Sequence, residues 1–277
     1  MTDISTISNR LQKRDGIWYP PEKENISYPD SGNAHCLQIE DESFWFRHRN
    51  KCITSLVKKH SGSKTFWDIG GGNGYVSRGL QNSGIDVVLV EPGEKGAQAA
   101  KSRGVENVIC STLEQSGLKS ESVESAGMFD VVEHIENDVD FLAHLGSAMP
   151  KGGIIYITVP AYKTLWSKDD DYAGHYRRYT ISGLRKTLAA AGFEMTFGTY
   201  IFSVLIFPIY IFRTLGQKFV KSKSDEVGSL DKANQEHSNS GILPKLMSPF
   251  WAIELWMIKR GIKVPFGGSC LVVARKK

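Results

Sequence analysis

The sequence predicts an α/β protein with a mostly parallel sheet that is covered by helices on both faces. Strand-like and helix-like segments alternate through residues 64–200, at the spacing of strand–helix–strand units. Residues 86–91, "DVVLVE", form a nearly continuous apolar run, which is typical of a strand buried on both faces. A glycine-rich turn at residues 70–74 joins the first predicted strand to the first predicted helix. These features together place a ligand site at the carboxyl ends of the strands.

Each predicted element has a local signal in the sequence. Thr180 is a suitable N-cap for the helix that follows it, and Gly84, Gly104 and Gly192 each end a predicted helix. The strands are the apolar segments between the helices and turns. The predicted strands cover residues 64–68, 86–91, 106–110, 123–129, 154–159, 193–200 and 270–276, and the predicted helices cover 75–84, 94–104, 138–149 and 181–192.

Four segments make up the predicted domain organisation. Residues 1–41 show little periodicity and contain turn signals such as "YPPEKEN", so we expect an irregular N-terminal arm. Residues 42–200 form the core, and residues 269–277 supply its last strand. Residues 201–268 interrupt the strand–helix alternation and are expected to form a hydrophobic helical insertion.

Two roles are predicted for the insertion. Its segment 200–212 is apolar but has only 13 residues, whereas a helix that crosses a bilayer needs roughly 20. Its segment 248–266 is amphipathic, with tryptophans close to lysines and arginines. We therefore expect a lid over the substrate site or, as a role that can coexist with it, a peripheral membrane contact through residues 201–266. Residues 201–277 carry 12 Lys/Arg against 5 Asp/Glu, and this balance of +7 suits anionic lipid or an anionic substrate.

Composition limits the classes of protein that fit. With 41% apolar and 23% charged residues, the chain has an ordinary globular composition. The first residues are polar, so we expect no secretory signal and a cytoplasmic protein, peripheral at the inner face of the membrane where the insertion binds lipid. The four cysteines form no CxxC pair, which disfavours structural zinc and a disulfide framework. The sequence has no arginine-rich arm, so nucleic acid is not an expected partner, and oligomeric state is left open.

The glycine turn has the pattern Asp68-x-Gly70-x-Gly72-x-Gly74. This is not the G-x-G-x-x-G fingerprint of dinucleotide-binding proteins, which disfavours a nicotinamide-dependent oxidoreductase. The acid precedes the glycines, and a carboxylate at a strand end favours a cationic ligand group such as an ammonium. Glycines let the backbone approach that ligand closely.

A second acid, Glu91, ends the second predicted strand and is followed by Pro92 and Gly93. A carboxylate in this position can accept hydrogen bonds from both hydroxyls of a ribose. An ammonium near Asp68, a ribose at Glu91 and a sulfonium between them describe S-adenosylmethionine (SAM).

Five segments, in order and spacing, resemble the class I SAM-dependent methyltransferases, and most closely a small-molecule branch related to quinone-biosynthesis methyltransferases. The segments are "DIGGGNG", "VLVEPG", "MFDVVEHIEND", "MPKGGIIYITVPAY" and "LWSKDDDYAGHYRRYT". The resemblance covers residues 42–200 and the last strand. It implies a seven-stranded Rossmann-like sheet, with the last strand antiparallel between the fifth and sixth.

The resemblance also implies which residues hold SAM. Asp68 and the three glycines would line its methionine end, and Glu91 would bind the ribose. Residues 111–113 would contact the adenine, with Thr112 and Leu113 as candidates. Phe129 and Asp130, at the end of the fourth predicted strand, would lie beneath the sulfonium.

Three residues are candidates for proton transfer from the acceptor. His134 follows the fourth predicted strand next to Glu133, and histidine titrates near physiological pH. His175 follows the fifth, where Asp170 can orient it as a base. The alternative for His134 is that it and Glu133 cap the following helix or pack against the cofactor. The alternative for the loop that carries His175 is internal Asp–Arg salt bridges far from the substrate. The run Asp169–Asp171 is more typical of a solvated turn than of a metal site, so no metal is predicted.

The long loop after the fifth predicted strand is expected to form the substrate wall. Arg177 and Arg178 can bind a carboxylate or phosphate, although salt bridges within the loop are the alternative. Trp45 lies on a segment that is expected to cover the active site while Arg47 or Arg49 reaches inward, and ordinary packing of an N-terminal helix on the sheet is the alternative. The candidate substrate residues are Tyr162, Trp166, Arg177, Arg178, Tyr179 and Trp45.

The sequence therefore predicts a SAM-dependent methyltransferase that acts on a small-molecule or lipid- or glycan-linked acceptor by in-line displacement. Oxygen is the favoured acceptor atom, with a histidine as the base. The alternative is a catalytically silent SAM-binding protein that serves as a partner or sensor.

Overall fold

A computed structural model describes residues 2–21, 40–41, 43–60, 65–205 and 242–277. Its centre is one nine-stranded sheet with the order β1-β2-β5-β4-β3-β6-β7-β9-β8. The strands are β1 (Gln12–Arg14), β2 (Ile17–Tyr19), β3 (Thr65–Ile69), β4 (Asp86–Val90), β5 (Asn107–Ile109), β6 (Ser125–Phe129), β7 (Ile154–Pro160), β8 (Phe193–Ile201) and β9 (Ser269–Lys276).

Helices cover both faces of this sheet. Side chains alternate between the faces along each strand. Phe66 and Val87 therefore belong to one buried cluster, and Trp67 and Val88 to another. The helices are α1 (Ile4–Ile7), α2 (Phe44–His60), α3 (Tyr75–Gln81), α4 (Glu94–Ser102), α5 (Asp138–Ser147), α6 (Lys168–Ala173), α7 (Ile181–Ala190) and α8 (Ile242–Arg260).

The predicted parallel core and the predicted position of the last strand are confirmed. Strands β3 to β7 pair in parallel, and β9 lies antiparallel between β7 and β8. The seven strands and four helices predicted along the core all form, with bounds that differ by a few residues at most.

The predicted strand number is wrong, because the sheet has nine strands and not seven. The two additional strands, β1 and β2, come from the arm that was expected to be irregular. They form a hairpin whose turn residues Asp15 and Gly16 both have positive φ, and β2 pairs in parallel with β5. Asp-Gly is a strong hairpin signal. All three residues of β1 are exposed, however, so the strand has no apolar alternation to mark it.

Part of the insertion lies outside the described residues, since these stop at 205 and resume at 242. Most of the apolar segment 200–212 and the linker after it are therefore not described. The described part forms α8, which packs against α2. No helix within the described ranges is both long and apolar enough to cross a membrane.

A buried carboxylate anchors α8 to the core. Glu254 accepts hydrogen bonds from His48 Nε2 at 2.8 Å, from the backbone N–H groups of Phe202 and Ser203 at 2.9 Å each, and from Ser203 Oγ at 2.8 Å. It thus joins α8 to α2 and to the end of β8. Burial alone would raise the pKa of Glu254, but these hydrogen bonds outweigh it and hold the pKa below its usual range.

Replacing this carboxylate is expected to destabilise the fold. Glu254→Ala leaves the buried backbone N–H of Phe202 and the half-buried one of Ser203 without their acceptor, so we expect a loss of about 2–4 kcal/mol in the free energy of unfolding. Urea denaturation followed by circular dichroism measures this loss. Glu194→Ala, at an exposed position of β8, is the matched control and should change stability little. Equal stability of the two variants would contradict the anchoring role.

Candidate active site

The glycine turn follows β3 at the carboxyl edge of the sheet. Backbone N–H groups of Gly70 and Gly71 donate to the carbonyl oxygen of Val90, at 2.7 and 3.3 Å, so the turn is tied to the end of β4. Gly70, Gly72 and Gly74 all have positive φ, at 71°, 52° and 74°. A Cβ atom on Gly74 would also lie 2.8 Å from the Cβ of Ala100. The turn therefore requires glycine for both its conformation and its packing.

Asp68 lies beneath this turn and is buried. Its Oδ2 accepts a hydrogen bond from Ser77 Oγ in α3 at 2.7 Å. Burial raises the pKa of Asp68 to about 6, although the Ser77 hydrogen bond opposes the rise. Sequence reasoning missed Ser77, whose only signal is its place in the first turn of the helix after the glycines.

Glu91 connects the two turns that border the predicted nucleoside site. Its carboxylate accepts hydrogen bonds from the backbone N–H groups of Gly72 at 2.9 Å and Gly93 at 2.8 Å. Glu91 thus lies beside the glycine turn, as its predicted role requires.

The predicted adenine residues lie next to Glu91. The backbone N–H of Ser111 donates to the carbonyl oxygen of Glu91 at 3.2 Å. Thr112 Oγ1 accepts from the backbone N–H of Gln115 at 3.2 Å, and the side chain of Leu113 is buried. These residues therefore border the same edge, and their contact with adenine stays a prediction.

Phe129 and Asp130 end β6 on the other side of the turn. The ring of Phe129 is buried and stacks on Phe66, with centroids 6.3 Å apart. Asp130 has a φ of 59°, and its carboxylate accepts from Thr158 Oγ1 at 2.9 Å and pairs with Arg49 of α2. On α2, Arg49 is buried and Arg47 is exposed.

His134 and His175 meet at the same edge, although they follow different strands. Their rings lie edge to face with centroids 4.6 Å apart. His175 Nδ1 lies 2.9 Å from Asp170 Oδ1, as the sequence predicts. Ligand atoms of Glu133, His134 and His175 all lie within 4.8 Å of one another. We call these three residues the Glu–His–His cluster.

Burial dominates the electrostatics of this cluster. It raises the pKa of Glu133 to about 8. Burial, together with the neighbouring His175, lowers the pKa of His134 to about 4. Both shifts favour the neutral form of each side chain in the absence of a charged partner.

Asp170 is the centre of the loop that carries His175. It accepts from Arg178 Nε at 2.7 Å and Nη2 at 2.9 Å, and from the backbone N–H of Ser167 at 2.7 Å. Burial alone would raise the pKa of Asp170, but the hydrogen bonds from His175, Arg178 and Ser167 outweigh it, so the net pKa is far below the usual range.

The remaining predicted substrate residues are engaged within the protein. Arg177 pairs with Asp138 at 3.0 Å, and Tyr179 donates its hydroxyl to the same carboxylate at 2.8 Å. The Arg178–Asp170 pair is a loop-internal salt bridge of the kind that the sequence left open as an alternative, whereas Arg177 and Tyr179 tie the loop to Asp138 of α5. A direct contact of either arginine with substrate stays a prediction.

The three remaining aromatic residues that were predicted to bind substrate also have contacts within the protein. Tyr162 stacks on Tyr200 with centroids 5.1 Å apart, and Trp166 donates its indole N–H to Asp171 Oδ1 at 2.9 Å. Trp45 stacks on Phe202 at 3.5 Å, where β8 leads into the insertion. Trp45 therefore belongs to the contact between α2 and the insertion, and its role in substrate binding stays a prediction.

A family profile described as "Methyltransferase domain" matches residues 42–196, which is more than half of the chain. The chain therefore belongs to this methyltransferase family. A comparison with curated proteins finds no match.

Solved structures with the same fold include several methyltransferases. The chain is similar to a chain in the complex between the Haloferax volcanii Trm112 methyltransferase activator and a methyltransferase, with a TM-score of 0.58 and 14% identity over 89% of this chain and 95% of that one. It is similar to a SAM-dependent methyltransferase of Thermotoga maritima, with a TM-score of 0.51 and 20% identity over 84% and 93%. It is also similar to Haemonchus contortus phosphoethanolamine N-methyltransferase 2 in complex with SAM, with a TM-score of 0.55 and 16% identity over 94% of this chain but only 61% of that one.

The protein is therefore a SAM-dependent methyltransferase with the class I fold, and SAM is its cofactor. The predictions of enzyme class and cofactor are confirmed. The likeness to the quinone-biosynthesis branch stays a prediction.

The Asp68–Ser77 hydrogen bond predicts a pH dependence of SAM binding. In its predicted role the Asp68 carboxylate attracts the SAM ammonium, which requires the ionised form, so we expect the affinity to fall as the pH drops through about 6, the pKa of Asp68. Ser77→Ala removes a contact that lowers this pKa, so the loss should begin at a higher pH in the variant. Calorimetric titration with SAM between pH 5 and 8 measures both curves. Ser102→Ala, at an exposed position of α4, is the control, and an affinity independent of pH would refute the role of Asp68.

Proposed function

We propose that the protein transfers the methyl group of SAM to an oxygen atom of an apolar small-molecule or lipid-linked acceptor. In-line transfer requires the acceptor oxygen to lie beyond the methyl group, and a hydroxyl must also lose its proton. The observation that supports an oxygen acceptor is the Glu–His–His cluster, which lies on the same sheet edge as the glycine turn. The cluster provides groups suited to removing that proton.

His175 is the member of the cluster with the best-defined orientation. Its Nδ1 is engaged by Asp170 at 2.9 Å, so its Nε2 is directed away from that carboxylate. Asp170 is itself fixed by Arg178 and by the N-terminus of α6, where Ser167 and Asp170 form a capping box. The simplest chemistry for this arrangement is the predicted histidine base, with Nε2 as the accepting atom.

Replacing His175 is expected to separate turnover from cofactor binding. His175→Ala should lower kcat at least about 100-fold, the usual contribution of a positioned acid–base group, and should leave SAM affinity within about twofold. Transfer of labelled methyl to a panel of hydroxylated apolar acceptors, with calorimetry for SAM, measures both quantities.

The matched control is His144→Ala, which removes an exposed histidine of α5 and should leave both quantities unchanged. Full turnover in His175→Ala would remove this residue from the mechanism. Transfer to nitrogen or carbon acceptors alone would refute the choice of oxygen.

The insertion supports an apolar or lipid-linked acceptor. Phe250, Ile253 and Trp256 are 51%, 56% and 50% exposed and, at three-residue spacing, lie on one side of α8. The guanidinium of Arg260 lies 5.4 Å from the ring centroid of Trp256, and Lys259 follows on the same helix. Exposed aromatic residues beside basic ones are typical of helices that lie on anionic membranes. We therefore assign an anionic bilayer surface as the partner of this face, with the acceptor supplied from it.

Substitution of this face is expected to reduce membrane binding. The double variant Phe250→Ser, Trp256→Ser should lose most of its flotation with anionic vesicles, because apolar burial at the interface is removed while the fold-facing side of α8 is kept. Tyr172→Ser, which changes an aromatic residue that is 71% exposed on α6, is the control. Absence of vesicle binding by the unmodified protein, or equal binding by the double variant, would refute the assignment of a membrane surface to this face of α8.

A further inference from the structure

Glu133 differs from the other buried acids of this edge. Asp68, Glu91 and Asp170 each accept hydrogen bonds from neighbouring groups. Glu133 is only 1% exposed, yet neither of its carboxylate oxygens accepts a hydrogen bond from the residues that the structure describes. A buried polar group without partners is costly, so a partner from outside the chain would stabilise this site.

The nearest cationic side chains do not supply that partner. Arg49 and Arg178 both act on Glu133 through space. Arg49 is paired with Asp130, however, and Arg178 forms two hydrogen bonds with Asp170. Each arginine therefore has its own carboxylate.

Two imidazole groups complete the surroundings of Glu133. One ligand atom from each of Glu133, His134 and His175 lies within 4.8 Å of the others. Two imidazole nitrogens and one carboxylate oxygen are a common donor set for Zn²⁺, Mn²⁺ and related ions, and three protein ligands leave coordination positions open.

We infer that the Glu–His–His cluster binds one divalent transition-metal ion. This differs from the sequence-based expectation of no metal, which considered only the run Asp169–Asp171. Those three acids do not converge, because Asp170 binds His175 and Arg178 whereas Asp171 binds Trp166.

Asp170 prepares His175 for this role. Nδ1–H of His175 donates to the Asp170 carboxylate, which leaves the lone pair of Nε2 for the ion. A carboxylate behind a histidine ligand is the usual outer partner that fixes the tautomer and the ring orientation in metal sites. His134 is held by the short helical turn Val132–His134, which follows β6 directly.

The ion would change how the cluster activates the acceptor, and this part of the inference rests on the proposed function. A divalent ion that binds the acceptor hydroxyl lowers its pKa, so the proton passes to solvent and His175 acts as a ligand instead of a base. The acceptor oxygen then attacks the methyl carbon. An O–CH₃ bond forms, the S–CH₃ bond breaks, and its electron pair remains on sulfur, which gives S-adenosylhomocysteine.

Metal binding by the full chain tests the site without any acceptor. The purified protein is stripped with a chelator, dialysed and titrated with Co²⁺, Zn²⁺ and Mn²⁺ in turn. We expect one ion per chain, a visible Co²⁺ absorption band of a site with nitrogen and oxygen ligands, and a rise in thermal stability on Zn²⁺ binding. Glu133→Gln, close in shape to the native residue, and His134→Ala should each weaken binding at least about tenfold.

Two controls make the result decisive. Asp169→Asn alters an exposed acid of the same loop and should bind as the unmodified protein does. Circular dichroism of each variant shows that loss of binding is not loss of fold. Absence of binding, or equal affinity in Glu133→Gln and the unmodified protein, would overturn the inference.

Activity separates this inference from the proposed function. Full O-methyl transfer by the chelator-stripped protein, with no metal detected, would refute the role of the ion in transfer and leave the proposed function, with His175 as the base, standing. Metal binding that depends on Glu133, without transfer to any oxygen acceptor, would refute the proposed function and leave the site standing.

Discussion

The Glu91 carboxylate holds the cofactor edge of the sheet together. It accepts hydrogen bonds from the backbone N–H groups of Gly72 and Gly93, and so connects the turn after β3 to the turn after β4. Both turns expose backbone groups that need partners, since neither belongs to a strand or a helix. One buried acid therefore fixes the relative position of two turns. Because the nucleoside of SAM is predicted to lie between them, the shape of its site depends on this interaction.

A second carboxylate, Asp170, plays the corresponding part on the acceptor side. Its contacts with Arg178, His175 and Ser167 convert a long loop after β7 into a defined structure. Sequence analysis predicted that Arg178 could bind an anionic group of the substrate. In the structure Arg178 binds Asp170, which in turn positions His175. Burial raises the desolvation cost of such a network, and only full hydrogen bonding makes it stable. The loop can therefore present His175 and His134 in one geometry.

Carboxylates with partners also hold the covering helices, Asp130 at a half-buried position and Glu254 at a buried one. Asp130 pairs with Arg49 of α2, and Glu254 joins α8 to α2 and to the end of β8. Helix α2 and helix α8 of the insertion are thus connected on one side of the sheet. Glu133 is the exception among the described acids of the site, because its oxygens accept no hydrogen bond from the described chain. This contrast is the reason for inferring a metal ion at the Glu–His–His cluster.

The sequence by itself determined the alternation of strands and helices, the glycine turn and the two acids beside it. These are local properties, because apolar runs, helix caps and positive φ are set by neighbouring residues. The antiparallel direction of the last strand came from the resemblance to a known family and not from a local pattern. Only the tertiary structure decided which side chains meet. His134 and His175 come together because β6 and β7 pair in parallel. Arg178 pairs with Asp170 within one loop, whereas Arg177 pairs with Asp138 at the start of α5. The exposed strand β1 also formed through pairing with its neighbour, since no apolar pattern marked it.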